Sequence, residues 1–174
     1  MQIAKFKGGF TLFELMIVII IIGIVYALVA VKFTQNRDKK VKLSDLPEIL
    51  RNYDFKQSAE IICIKEKCGQ CNIYLDETPL KKPVQLFKSE PVTYRLLPDE
   101  TLQEIEFEPI IDEEQRSIPV CFRYKVTKNG AGDEVIIDDG KGVLLMFAYN
   151  NPIHFDDVES ARDKMIEIKQ KAYE

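Results

Sequence analysis

Residues 10–31 read FTLFELMIVIIIIGIVYALVAV, and after Glu14 this stretch holds no charge. As a helix its 22 positions would span roughly 33 Å, which matches a hydrocarbon core of about 30 Å. Eight Ile and Val within residues 17–25 are stiff, β-branched residues of mediocre helix propensity in water. In lipid the backbone has only itself to hydrogen-bond to, so the run predicts a membrane helix all the same. A secretory signal core is the competing reading, because Lys5 and Lys7 precede the run. Against it, the run is longer than such a core, and no small-x-small cleavage site follows: Val31, Lys32 and Phe33 come after Ala30.

The 174-residue chain is 46% apolar and 30% charged. That composition fits neither a disordered chain nor a polytopic membrane protein, and the length suits one domain plus a tail. Charge is unevenly placed. Residues 1–50 carry seven Lys and Arg against four Asp and Glu, net +3, whereas the remainder of the chain is net −7. A basic, apolar head therefore precedes an acidic body, and the body's surface as a whole is a poor match for sequence-blind phosphate binding.

At the entry to the apolar run stand Lys7-Gly8-Gly9-Phe10-Thr11-Leu12-Phe13-Glu14-Leu15. This segment resembles the N-terminal signature of type IV pilins and of the pseudopilins of type II secretion: a short basic leader ending in Gly, then Phe-Thr-Leu-x-Glu-Leu and an apolar helix. The resemblance implies that prepilin peptidase, a membrane aspartyl enzyme, cuts after Gly9, where the absent side chain lets the scissile backbone enter a tight site. It further implies that Phe10 becomes the N-terminus and is N-methylated, and that Glu14 pairs with the N-terminal ammonium of a neighbouring subunit. A carboxylate within an apolar helix costs about 2.5–3.5 kcal/mol on insertion scales, and such pairing offsets that cost while favouring transfer of the helix from lipid into a filament bundle. Read alone, Glu14 has a blander meaning, a carboxylate near the interface that reaches water. Major pilins of the commonest class carry a late helix proline and a disulfide near the C-terminus. Here no proline stands near Val31 and the last cysteine is Cys121, departures that point to a minor pilin or pseudopilin.

Orientation divides the signals. Lys5, Lys7 and the initiator amine face Lys32, Arg37, Lys39, Lys40 and Lys42 across the run, and positive-inside counting alone puts the body in the cytoplasm. The family signature requires the leader there instead, with the later basic cluster set against anionic headgroups or filament neighbours. The opposing count keeps a second reading, a bitopic anchor with a cytoplasmic zinc-bound interaction domain. A membrane-tethered enzyme is the third.

Beyond Phe33 a polar stretch of good helix formers extends the helix, which breaks near Leu43 and restarts with Ser44 and Asp45 as cap and Pro47 in the first turn. After Asp54 the period changes. β-rich runs at residues 60–65, 72–75, 92–97, 102–107, 119–127, 134–137 and 142–148 are separated by Pro, Gly, Asn and Asp clusters. They predict an antiparallel sheet or sandwich, with hairpin loops at 129–132 and 138–142. From Asp156 the period returns to helical: Val158, Ala161, Met165, Ile168 and Ala172 recur at three or four residues behind Asp156 and Asp157. The fold class is therefore α+β, a long N-terminal membrane helix followed by an antiparallel sheet or sandwich with a C-terminal helix.

Cys63, Cys68, Cys71 and Cys121 admit opposed readings that the compartment decides. Exported, they form two disulfides, for which the expected pairing is Cys68 with Cys71 across the Gly69-Gln70 turn and Cys63 with Cys121 between two strands. In the cytoplasm four thiolates would hold Zn²⁺ tetrahedrally. A redox Cys68-Gly69-Gln70-Cys71 motif ranks third, because it precedes a strand-like run and not a helix.

Residues 99–114 hold eight Asp and Glu with no Lys or Arg. Glu104, Glu106 and Glu108 alternate with Ile105 and Phe107, as on the solvated face of an edge strand; a cation site or a surface for a basic partner is the sharper reading. Calcium fits poorly, because no stretch supplies regular oxygen-ligand spacing. The single His154 has no nucleophile motif nearby, and GxSxG, HExxH and phosphate-cradling loops are absent. The chain reads as non-enzymatic, with no cofactor and no metal.

Together these features predict a leader at 1–9, a transmembrane and filament-core helix at 10–31, a helix extension and linker at 32–50, and a periplasmic α+β domain at 51–174. The expected partners are prepilin peptidase, other pilin or pseudopilin subunits, the inner membrane, and a secreted protein or DNA.

Overall fold

The computed structural model of the chain describes residues 12–35, 41–64, 68–112 and 114–172. The chain divides into two compact units, Met1–Lys39 and Lys40–Glu174. In the first, Leu12–Gln35 form one uninterrupted helix, α1. Its large apolar side chains between 12 and 25 are all exposed, from 41% for Ile17 to 87% for Leu12. An α-helix that is apolar on every face has no polar stripe to offer water.

The second unit opens with a 3-10 turn, Leu43–Asp45, and a short helix α2, Leu46–Arg51. Ser44 and Asp45 do not cap it as expected. The Ser44 hydroxyl donates to the Asp45 carboxylate at 2.9 Å, and Asp45 is itself helical with no side-chain cap bond. Burial holds α2 instead: Leu46, Pro47 and Leu50 are buried, and Arg51 donates to the Gly130 carbonyl at 2.9 Å and to the Ala148 carbonyl at 3.0 Å.

The strands are β1 Ser58–Ile64, β2 Cys71–Leu75, β3 Thr78–Pro79, β4 Val92–Leu96, β5 Leu102–Glu104, β6 Ile110–Ile111, β7 Ser117–Ile118, β8 Val120–Thr127, β9 Val135–Asp138, β10 Val143–Met146 and β11 Ile153–Phe155. Helix α3, Val158–Lys171, closes the chain. Three antiparallel sheets result, ordered β3-β2-β1-β8, β11-β10-β9-β4-β5 and β6-β7.

The layers follow from burial. Ala59, Ile61 and Cys63 on β1 and Phe122, Tyr124 and Val126 on β8 meet Ile137, Leu144 and Met146 of the second sheet, with Leu46 and Leu50 of α2 in the same core. The second sheet is also covered from behind, where Ile136, Val143 and Leu145 pack on Ala161 and Met165 of α3. A strand covered on both faces cannot alternate, which is why Val143–Met146 are all buried. Asp157 caps α3, accepting the Ser160 amide at 2.7 Å.

Two expected strand features differ. The 129–132 turn forms, with the Thr127 amide donating to the Ala131 carbonyl at 2.8 Å, but β8 and β9 then part into different sheets. The turn closes as a hairpin loop over a single antiparallel bridge, Val126 with Gly132, before the chain crosses between layers; no side chain at position 132 would clear the Tyr124 hydroxyl, so Gly132 sits where the chain crosses. β5 ends at Glu104, short of the predicted 107, because Ile105 and Phe107 leave the sheet to pack against the inter-sheet core. Phe107 lies edge-on to Phe122, centroids 6.2 Å apart. The short strands β3, β6, β7 and β11 carry too few residues for any period to register.

The four cysteines form two disulfides, paired otherwise than expected: Cys63 with Cys71 and Cys68 with Cys121. Register is the reason. The β1–β2 ladder sets Cys63 directly opposite Cys71, with Cα atoms 4.1 Å apart, so the Cys71 thiol is taken across the strands and not back along its own turn. A bulge in the β1–β8 ladder, where Cys63 opposes Phe122 and Ile64 opposes Val120, leaves Cys121 as the extra residue. Val120, Cys121 and Phe122 are consequently buried in succession, and Cys121 bonds to Cys68 across 6.1 Å between Cα atoms.

Turn residues Asp76 and Glu77 both have positive φ, 48° and 69°. The Asp76 carboxylate accepts the amides of Lys56, Gln57 and Ser58 at 2.7, 2.6 and 3.1 Å, tying the start of β1 to the β2–β3 turn. Those amides hold its pKa below the usual carboxylate range. A carboxylate whose pKa falls on folding contributes stability above that range, lost as pH drops through the lowered value. Asp76→Asn should therefore lower the melting temperature at neutral pH and flatten the acid limb of the melting temperature against pH; an unchanged acid limb would assign the acid response elsewhere. In the chain-entropy model the bridge spanning 53 residues contributes about 4 kcal/mol and the one spanning 8 about 2.5 kcal/mol. Replacing Cys68 and Cys121 by Ser should then lower the urea midpoint further than replacing Cys63 and Cys71, and peptide mapping should recover no Cys68–Cys71 link.

Candidate functional site

At the N-terminus Gly9 and Phe10 lie outside the described residues. Glu14 is in the first turn of α1, where a carboxylate is favoured by the positive end of the helix dipole. The first unit therefore presents an acid at the start of a rod whose described side chains are otherwise almost wholly apolar. Among the described residues no helix is long and apolar enough to cross a membrane. The side chains of α1 are described only as far as Val25.

In the body the acidic run does not form one strand. It supplies the β4–β5 turn, β5, the segment that packs over Phe122, and the separate β6–β7 ribbon. The ribbon's turn is ordered by Asp112, which accepts the amides of Glu114 and Arg116 at 2.9 and 2.8 Å and pairs with the Arg116 guanidinium at 2.8 Å. These bonds hold the Asp112 carboxyl below its ordinary range. Ile111 on this ribbon is 75% exposed.

Where residues 104–109 cross from the second sheet toward β8, a cleft of about 470 Å³ opens, lined by Glu90, Thr93, Glu104, Glu106 and the disulfide-bonded Cys121 among others. Thr93 is 2% exposed and its hydroxyl has no hydrogen-bond partner. Sequence reading marks Glu104 and Glu106 but neither Glu90 nor Thr93, because a threonine in a β-rich run carries no sign of which face it takes.

The other candidates stay apart. His154 is exposed on β11 and borders a shallow cleft with Lys42, Asp139 and Lys141, in which the Ser44 hydroxyl is engaged by Asp45. Asp157 is used as a helix cap, and its bonds to Ser160 keep its carboxyl below the usual range. Burial pushes the Tyr124 phenol up to about 12, against the opposing pull of the Arg51 charge, so it stays protonated at ordinary pH. Among the described residues no three His, Cys, Asp or Glu side chains converge as a metal site. The body thus offers surfaces and clefts, while its cysteines serve as staples, as in proteins of an oxidising compartment.

Comparison with known proteins agrees with the N-terminal reading. The family model of the prokaryotic N-terminal methylation motif matches residues 5–30. No curated protein and no solved structure matches the chain. The match ends within α1, so the body is known by its own fold alone. The motif implies processing by prepilin peptidase and assembly with other pilin subunits, and by this segment the chain is similar to the type IV pilin-like proteins, the group that includes the pseudopilins.

Proposed function

We propose that the chain is a minor pilin or pseudopilin, a structural subunit of a type IV pilus, type II secretion or DNA-uptake filament that acts by assembly and contact. The observation that carries this reading is the methylation motif at residues 5–30 joined to a helix with large apolar side chains on every face. Such a helix needs an apolar surrounding, either lipid or a bundle of like helices. The uncharged stretch continues to residue 31, long enough by composition to span a bilayer, which supports storage in the inner membrane before assembly. Cleavage between Gly9 and Phe10, N-methylation of Phe10 and pairing of Glu14 with a neighbour's N-terminal ammonium complete the reading.

The two disulfides support a periplasmic body over the cytoplasmic zinc domain, since the thiols that would hold zinc are bonded to each other. The missing helix proline and the internal cysteines support a minor over a major subunit. The body then presents its surface to other subunits, a secreted protein or DNA.

Intact mass of the protein from its native membrane tests this reading. A chain beginning at methylated Phe10 that gains four hydrogens on reduction is expected; a retained leader with four free or metal-bound thiols would move the body to the cytoplasm. Glu14→Leu should leave the folded body and both disulfides intact while lowering the filament-associated fraction on the order of tenfold or more. Unchanged assembly would reduce Glu14 to a carboxylate at the membrane interface.

A further inference from the structure

Where the body begins, residues 41–44 border a cleft of about 510 Å³, lined by Leu86 and Leu144 together with Lys42, Asp139, Lys141 and His154. Its three basic groups come from separate parts of the fold. Lys42 precedes the 3-10 turn, Lys141 stands in the turn between β9 and β10, and His154 lies opposite Leu144 in the β10–β11 ladder. Directly opposed residues share a sheet face, and Leu144 belongs to the inter-sheet core, so His154 stands at the edge of that same side. All three are exposed, and among the described residues none gives its side chain to a hydrogen bond or an ion pair. The acid of the lining is engaged in its own turn, where the Asp139 carboxylate accepts the Lys141 amide at 2.9 Å. Lys141 also borders a depression with Asp138, Asp156 and Asp157 but pairs with none of them, and the Asp157 carboxylate is bonded to Ser160.

Two free ammonium groups and an imidazole beside apolar lining suit a ligand that joins anionic oxygens to an apolar body. A phospholipid has that chemistry. Each ammonium offers three N–H donors and the imidazole at least one in either protonation state, whereas a phosphate diester presents acceptors. The chain also brings such a lipid within reach. Lys42 stands eleven positions beyond Val31, the end of the uncharged run, so even at full extension it lies no more than about 40 Å from it. Residues 32–42 carry five bases against one acid, a composition that draws the connecting stretch toward an anionic surface.

Resting on the storage of the chain in the inner membrane proposed above, we propose that the Lys42–Lys141–His154 cleft binds the phosphate of an anionic phospholipid headgroup and so seats the body on the bilayer before assembly. The tether keeps the local lipid concentration high, so one weak contact per body is enough to orient it. Entry into a filament then has to release the headgroup.

The test uses the full-length ¹⁵N-labelled protein in phosphatidylcholine discs with and without phosphatidylglycerol, each containing a trace of headgroup-spin-labelled lipid. Residues 41–44 are close to the bilayer by tether alone, so the diagnostic amides are those of Lys141, Gly142 and His154. They should broaden in the phosphatidylglycerol discs, and the broadening should fall at least about fivefold without that lipid or in Lys42→Gln/Lys141→Gln, whose exposed positions leave the fold and both disulfides intact. Lys81→Gln/Lys82→Gln removes the same charge elsewhere on the body and should leave it unchanged. Inorganic phosphate added to phosphatidylcholine discs should not shift these amides; a saturable shift would make this a site for free phosphate and overturn the proposal. Broadening that ignores phosphatidylglycerol, spares these three amides, or falls equally in both double variants would overturn it too. An acyl-chain spin label in the same discs reports separately on membrane storage through the amides of residues 15–31. Their broadening without the headgroup contacts removes only the cleft, and its absence counts against storage in the membrane.

Discussion

The second sheet is covered on both faces, and the rest of the body is arranged around that fact. β9 and β10 expose neither side: one packs into the first sheet through Ile137, Leu144 and Met146, the other onto α3 through Ile136, Val143 and Leu145. At about 25 cal/mol per Å² of apolar surface removed from water, such burial dominates the folding free energy of a small domain. It also fixes the layer order, since only a helix with the Ala161 and Met165 face can close the back, and only a sheet with an apolar inner face can close the front.

Around that frame the polar interactions are mostly clasps at the seams. Arg51 ties α2 to two loop carbonyls from distant parts of the chain, Asp76 ties the entry of β1 to the β2–β3 turn, and the two disulfides gather β1, β2 and β8 at one end. The contribution of each clasp depends on the chain length it closes more than on its own bond. That is why the bridge reaching Cys121 outranks the one across adjacent strands.

The head and the body solve opposite solvation problems. Over residues 12–25 α1 exposes large apolar side chains all round, and the body has an excess of acid that suits water; residues 32–42 carry five bases against one acid. The methylation motif joins the chain to a known kind of assembly, while the body's clefts and ribbon are its own.

The sequence by itself determined what depends on neighbours along the chain. The processing motif, the uncharged apolar run, the acidic and basic segments, the closing helix and seven of the strands are all local patterns of side-chain type and period. Tertiary structure alone decided what depends on residues far apart in sequence. The pairing of Cys63 with Cys71 needed the β1–β2 register, and that of Cys68 with Cys121 needed a bulge in β8. The separation of β8 from β9 after a turn that reads as a hairpin needed two sheets to exist, and the burial of Thr93 needed both closed over it. Cysteine spacing along the chain does not carry strand register, because register is set by which faces are buried against which, and that is a property of the assembled layers.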